Sequence, residues 1–392
     1  TAATGVNRIE FDANNQPIVH TAIRGYSFEY FKKNASGFLR LNYDYEDKYL
    51  VSFTGRRDGS TRFAKNKRFG NFYAGSVGWV VSKEDFFKSN FINFLKVRGS
   101  YGVVGNDQAV STNYNSISTI QTDYLASLYG SGNAIGYTFG GAFANGATLG
   151  TYYNPDLGWE TNGQGNVGFE LNFYKNKFNI NADYYFKKTT DLLFTTSLAG
   201  YLGAIPSPTV NIGSTTAQGI DLTLGYTDKF MDNKLGLNTT VAFTTVKGNV
   251  TSTGASGAIR GGGFFNGQSQ TTTLFAPGFA PGVYFGYKTA GLFQTVAEIA
   301  ASPTQAGAQP GDIKFADLNG DGKINSEDQE VIGSPFPKFT LGWNLNLNYK
   351  NIDLSVFTYA SYGNDIVRAF ERNANYTNKY AQVLERWTGP NT

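Results

Sequence analysis

Cysteine is absent from the 392 residues, which excludes a disulfide framework, a thiolate metal site and a thiol nucleophile. The single histidine, His20, has no second imidazole with which to build a metal cluster, and nothing around it suggests a Ser-His-Asp triad. Charge is scarce as well. Asp, Glu, Lys and Arg make up 16% of the chain, against about 25% in ordinary soluble domains. The formal net charge of +3 gives no argument for nucleic acid, and no Lys/Arg run offers a polybasic anchor. No stretch approaches the run of about 18 apolar residues that a membrane-spanning helix needs, although β-barrels leave a much weaker mark. No signal peptide opens the chain. The opening TAATGVNRIEF and the closing RWTGPNT both read as cuts through a longer protein.

Present in quantity are glycine (47), phenylalanine (32) and tyrosine (25), the composition of many strands and turns with aromatic rings at interfaces. Period-two alternation recurs in segments of about ten residues. In FLRLNYDY, Leu39, Leu41, Tyr43 and Tyr45 point one way, and Arg40, Asn42 and Asp44 the other. NVGFELNF, FNINADYYF, GIDLTLGYT, KLGLNTTVAF and WNLNLNYKNIDLSV repeat the pattern. About ten such strands are expected.

Two kinds of connection join them. YEDKY, YKNKF, MDNKL and YKNID are tight polar turns of hairpin type, near 46, 176, 231 and 350. The segments near 104–160, 189–217 and 247–337 are long, polar or Gly-rich, and loops of that length are usually functional. If the tight turns share one side, an even number of strands separates them. The count then requires 82–95 (SKEDFFKSNFINFL) to be a short helical connection on that side. It also makes 247–337 a single excursion on the opposite side. Such asymmetry is the layout of an outer-membrane barrel. Alternation alone does not say which face is wet, because a soluble sandwich hides the apolar face that a barrel shows to lipid. Aromatic residues read at strand ends (Tyr43, Tyr45, Tyr174, Tyr184, Tyr349) favour the barrel.

Within the last excursion, DLNGDGKINSED (317–328) follows the spacing of an EF-hand calcium loop. Asp317, Asn319 and Asp321 stand at positions 1, 3 and 5, Gly322 at the sharp turn and Ile324 at position 8. Lys323 would offer its backbone carbonyl, Asn325 would act directly or through water, and Asp328 replaces the usual bidentate Glu. A structural Ca²⁺ of modest affinity is one expectation. An Asn/Gly/Asp turn capped by its own side chains is the other. The upstream GDIKF reads as extended chain, whereas SEDQEVI reads as a short helix capped by Ser326.

RRDGSTRF places Arg56, Arg57 and Arg62 around Asp58, either as a carboxylate-binding cluster or as a charged strand exit with an Asp-Gly turn and local ion pairs. GASGAIRGGGFFNG (254–267) lacks the strand–GxxxxGK[ST]–helix context of a phosphate cradle. No carboxylate pair stands in a setting that suggests glycoside hydrolysis, so the chain is not read as an enzyme.

In series, FLRLNYDYEDKYLVSFTGRRDGSTRF, LKVRGSYGVVGN, NPDLGWET, FYKNKFNINADYYFKKTTDLL, NIGSTTAQGIDLTL, GDIKFADLNGDGKINSEDQEVIGSPFPKFTLGWN and LSVFTYASYGNDI resemble the SusC/RagA family of TonB-dependent outer-membrane transporters of Bacteroidota. The resemblance runs from about 38 to 388, nearly the whole chain. It implies an all-β fold: part of a 22-stranded transmembrane antiparallel barrel, with long extracellular loops, spanning 1–392 and lacking the plug and final strands. It further implies TonB-energised uptake of oligosaccharides or peptides with a SusD-like lipoprotein as partner. The Asn- and Tyr-bearing stretches STNYNSIS (111–118) and NGATLGTYY (145–153) are candidate substrate contacts. The alternative function is that of a soluble calcium-stabilised carbohydrate-binding or adhesin module.

Overall fold

A computed structural model describes residues 32–108, 119–121, 136–139, 142–145, 148–151, 154–195, 208–263, 271–368 and 380–390. His20, the stretch 111–118 and much of 145–153 lie outside the described residues. Ten long strands make one antiparallel sheet: β1 (Asn34–Tyr45), β2 (Tyr49–Ser60), β3 (Phe69–Val80), β4 (Ile92–Asn106) and β5 (Glu160–Phe173). There follow β6 (Phe178–Thr190), β7 (Ser214–Phe230), β8 (Leu235–Thr244), β9 (Phe339–Tyr349) and β10 (Ile352–Tyr362). Each pairs with its neighbours in chain order. A further strand, Lys247–Ser252, lies along the start of β7.

The odd-to-even links from β1, β5, β7 and β9 are the tight turns read from the sequence. Glu46 and Asp47 adopt φ of 52° and 49°, the left-handed pair whose twist matches that of the flanking strands. Tyr174, Lys175 and Asn176, and likewise Met231, Asp232 and Asn233, place three successive residues at positive φ. The β3–β4 link on the same side holds one 3₁₀ turn, Val81–Lys83, less helix than the sequence suggested, and β4 begins within the expected helical segment. The opposite end carries the excursions 107–159, 191–213 and 245–338, together with a compact 61–68 turn.

Register settles which residues share a face. Tyr43, Val51 and Val77 form one cross-strand row, and Asn42, Ser52 and Ser76 the next. Continued through β4–β10, one face carries Val97, Phe169, Leu224, Trp343 and Leu354, and the other Arg98, Glu170, Asp183, Asp221 and Asn344. A cavity of about 690 Å³ is lined by Asn42 on β1 through Asp221 on β7. Strands six apart therefore close around the polar face, and the apolar face is convex.

The convex face is bare. Val77 is 58% exposed, Val167 64% and Leu354 51%, and with their neighbours they form an apolar surface far beyond the few hundred Å² of soluble monomers. Toward the tight turns it ends in a run of rings, Phe91, Phe173, Phe178 and Tyr226, with centroids 5.3, 5.1 and 4.6 Å apart. Toward the loops, rings recur as Phe243 with Phe339 and Tyr362, and Phe53 meets Tyr73 nearer the middle of the sheet. Two aromatic belts flanking an aliphatic band match a lipid-facing barrel wall. Of the tyrosines read as strand ends, Tyr45 and Tyr349 close strands. Tyr184 instead sits mid-strand, donating its hydroxyl to Gln218 at 3.1 Å.

Candidate functional site

The concave wall carries the first candidate site. Arg98 of β4 donates through Nη1 to Glu170 Oε1 of β5, and through Nη2 to Asp183 Oδ2 of β6 at 2.6 Å. Lys96 Nζ stands 3.5 Å from Glu170. A strand lies between Arg98 and Asp183, so a side chain must pass over it, and Gly168 supplies the gap. A Cβ there would meet Asp183 Oδ1 at 2.2 Å. Asp221, directly opposite Asp183 on β7, adds a further carboxylate. Ser52 and Ser76 share a hydrogen bond of 2.7 Å, and Asn166 and Gln164 complete a polar, hydrogen-bonding lining. Among the described residues no nucleophile, base and oxyanion donors are grouped there; the groups present donate and accept hydrogen bonds.

Near the long-loop end, the arginine cluster divides by strand parity. Arg56 faces inward, its Nε 2.6 Å from Asp58 Oδ2, and Nη2 donates to Ser36. Arg57 faces outward with its guanidinium 5.1 Å from the centre of the Phe69 ring. Arg62 donates to the Asp107 carbonyl oxygen at 2.8 Å. The three arginines therefore do not converge. Asp58 and Gly59 remain within β2, so the Asp-Gly turn expected there is absent and the chain reverses in 61–68 instead. Beneath this end a small core forms from fully buried Phe63 and Leu157 with Trp159 and Leu193. Burial raises the Asp107 carboxyl, but the Lys32 ammonium (2.7 Å) and the Ser60 hydroxyl outweigh it and hold the group below its ordinary value. A second cavity of about 330 Å³ opens there between Arg56, Asp58, Phe72 and Trp159.

The 245–338 excursion builds a small unit of its own. Strands Ile259–Gly263, Thr271–Phe275, Val283–Tyr287 and Gln329–Gly333 form a sheet. Thr289–Leu292 pairs with Ile313–Phe315, and Val296–Ala301 is a short helix. GDIKF is thus extended, as read. SEDQEVI is not a helix: Ser326–Asp328 makes one 3₁₀ turn and Gln329 starts a strand. Its cap is Asn325 rather than Ser326, in a reciprocal capping box with Asp328. The β-strand pairing of Gln329–Gly333 with Val283–Tyr287 outcompetes helix propagation.

The calcium-like loop is turned by its own polar groups. Asp317 accepts from Gly320 N and Gly322 N at 2.7 and 2.9 Å, Asn319 from Asp321 N, and Asp321 from Lys323 N. Gly320 and Gly322 take φ of 74° and 79°, which explains glycine at both. Asp328, fully buried, accepts from Asn325 N at 2.8 Å and Leu318 N at 2.9 Å, and these backbone donors hold its carboxyl below the usual value. Yet no group of three acidic or histidine side chains converges as for a metal among the described residues. The backbone path and donor chemistry fit a calcium loop; the carboxylates are drawn in toward the loop's own N–H groups. Thr304 completes the arrangement, accepting from Ile324 N at 3.0 Å and donating its N–H to the Gly322 carbonyl oxygen.

Sequence reading missed the Arg98–Glu170–Asp183 network, Thr304, and Trp387, which lies over Gly311 and donates to Gln294 at 3.1 Å. Only the first had a signal: all three members occupy polar positions of alternating segments. Which strands meet was not written there.

Comparison with known proteins follows the same architecture. A family model described as TonB dependent receptor-like, beta-barrel, matches residues 3–364. TonB-dependent receptor P3 of Formosa agariphila is 33% identical over 365 residues, covering 91% of this chain and 35% of that protein. TonB-dependent receptor SusC of Bacteroides thetaiotaomicron is 26% identical over 348 residues, 86% of this chain and 32% of that one. The structure of the RagAB peptide transporter superposes with a TM-score of 0.66 at 22% identity, over 85% of this chain and 34% of the other. The chain spans about a third of the length of these curated relatives.

Proposed function

Because the chain belongs to the TonB-dependent receptor-like β-barrel family, in its SusC/RagA branch, and so to the outer membrane, we propose that it forms wall and extracellular loops of an active importer. The cargo would be oligosaccharides or peptides, a SusD-like lipoprotein the surface partner, and the TonB complex the source of energy. The observation that carries this reading is the curved ten-strand sheet: bare and apolar outside, polar and charged inside, with every long excursion at one end.

In this role the chain performs no covalent step. The excursions hold cargo above the lumen, while the polar inner wall replaces water hydrogen bonds as the cargo passes. The soluble adhesin alternative requires something to cover the apolar convex face, and among the described residues nothing does. Deleting the gene of the full-length protein should abolish growth on one defined class of oligosaccharide or peptide. Growth on all such substrates at the parental rate, with no loss of whole-cell binding, would remove the transport reading.

A second part of the proposal concerns 317–328. Asp317, Asn319, Asp321, the Lys323 carbonyl and Asp328 would hold a structural Ca²⁺, which would pin the 245–338 unit where the cargo is held. Bound calcium would supply a cross-link that the loop's hydrogen bonds alone do not. Chelator should accelerate proteolysis near residue 320 in the parent and have no effect in D317A/D321A. Equal protection with and without chelator in the parent would sink the calcium reading and leave transport untouched.

A further inference from the structure

The smaller cavity, at the loop end of the concave face, has an aromatic floor that is fixed in place. Register turns Asn34 and Ser36 of β1, Arg56 and Asp58 of β2 and Phe72 of β3 inward there, and Trp159 closes the far side. The two rings meet edge to face with centroids 5.5 Å apart, and fully buried Phe63 backs Trp159 at 4.9 Å. Glycine makes room for them. A Cβ on Gly70 would come within 2.5 Å of the Phe72 ring and 3.3 Å of Trp159 Cδ1, and one on Gly105 closer still to Phe72. The indole is also held by hydrogen bonds. Its Nε1 donates to the Arg68 carbonyl oxygen at 3.1 Å, and neighbouring Gly158 exchanges two bonds with the Asn211 side chain, at 2.8 and 2.9 Å.

Around the rings, charges are matched in pairs. Arg56 Nε lies 2.8 and 2.6 Å from the two Asp58 oxygens, and Nη2 donates to Ser36. Asp107 takes the Lys32 ammonium and the Ser60 hydroxyl, each at 2.7 Å. Arg62, which does not line the cavity, donates to the Asp107 carbonyl oxygen. A carboxylate, sulfate or ammonium on a ligand would have to break one of these pairs and leave a charge behind. Hydroxyls can join them intact, since a carboxylate accepts several hydrogen bonds, a guanidinium donates five, and the Asn34 amide does both.

A sugar ring has the matching form: an apolar C–H face for an aromatic plane, and a rim of neutral hydroxyls for planar donors and acceptors. At about 330 Å³ the space lies at the low end for ligand pockets, and it suits a sugar unit or two rather than a whole chain. We propose, resting on the importer reading, that this cavity is a subsite for an uncharged sugar unit of the cargo. Trp159 is its stacking platform, and Asn34, Arg56 and Asp58 are its hydroxyl partners. The cargo thereby narrows to neutral oligosaccharides.

The test places the full-length protein, in neutral detergent, on a printed array of neutral, uronate-bearing and sulfated oligosaccharides and unmodified peptides. The parent should retain a neutral oligosaccharide and pass over its uronate-bearing counterpart. Titrated with that neutral glycan, N34A should bind about threefold more weakly and W159A about tenfold or more. R57Q, on the convex side of the same strand, should bind as the parent does. D58N releases Arg56 and should admit the uronate-bearing counterpart, a change of selectivity that lost packing does not produce. If W159A does not fold, as judged by heat-modifiable migration, W159F keeps a ring in place and should weaken binding about threefold. Retention of peptides or acidic glycans in preference to neutral ones, or of no glycan at all, overturns the subsite. So does unaltered affinity in N34A and W159F, or unaltered selectivity in D58N. The importer reading survives each of these results, because it falls only if the deletion strain grows and binds like its parent.

Discussion

Asp328 concentrates the chemistry of the calcium-like loop in one side chain. Its two oxygens receive the N–H groups of Asn325 and Leu318, so the ends of the loop are tied by one carboxylate. Because these donors depress its folded pKa below the unfolded value, the stabilisation is complete above the ordinary carboxylate range. It is lost as pH falls through the depressed value. Asp107, held down by Lys32 and Ser60 despite burial, follows the same sign. Proteolytic sensitivity of 317–328 should therefore be flat from about pH 5 to 8 and rise only below about pH 4. D328N should expose the loop at neutral pH, since an amide nitrogen would face one of the two N–H donors. A digest pattern unchanged from the parent would contradict this. That Asp328 ends an oxygen-rich turn was legible from its spacing. Its capping of Asn325 was not, because Ser326 is an equally plausible cap until the following strand is known to pair.

At the scale of elements, the tight turns were legible because their cause is local. YEDKY and YKNKF contain the Asp and Asn residues that tolerate positive φ, bounded by rings that start the next strand. The inner-wall network was not legible, because Glu170 and Asp183 lie 72 and 85 residues from Arg98 and meet it only through register. Gly168 shows what register demands: with a side chain there, Asp183 would have no path to Arg98. G168A should force that carboxylate aside at a cost of about 1–3 kcal/mol, read as a lower urea midpoint of the refolded full-length barrel. R98A should then cost less in the G168A background than in the parent, since only its bond to Glu170 remains to be lost. Full additivity of the two losses would argue that Gly168 acts elsewhere.

For the whole molecule, the decisive property is which face meets water. Val77 and Ser76 are adjacent in β3 and point to opposite media. V77R should destabilise the folded barrel in lipid vesicles by about 1–2 kcal/mol, between the midplane and interface costs because Val77 lies one row inside Trp79, whereas S76R, on the polar wall, should fold and insert like the parent. Equal tolerance of both substitutions would mean that the convex face does not lie in lipid. The open edges of β1 and β10 have no partner strand among the described residues, and exposed backbone of that kind is not tolerated in lipid. The sheet therefore requires further strands to close it, in keeping with a chain that spans about a third of its relatives.

The sequence by itself determined the strands, the turn side and the position of the oxygen-rich loop. Each of these follows from short-range chemistry: alternation of side chains along a pleat, left-handed residues in a turn, acceptor spacing around a bend. Only the tertiary structure decided that the apolar face is the convex, uncovered one, that Arg98 bridges two strands, and that Arg56 and Arg57 part to opposite media. Those outcomes depend on curvature and pairing register, which arise when distant strands meet, and period-two alternation reads the same whichever way a sheet curls.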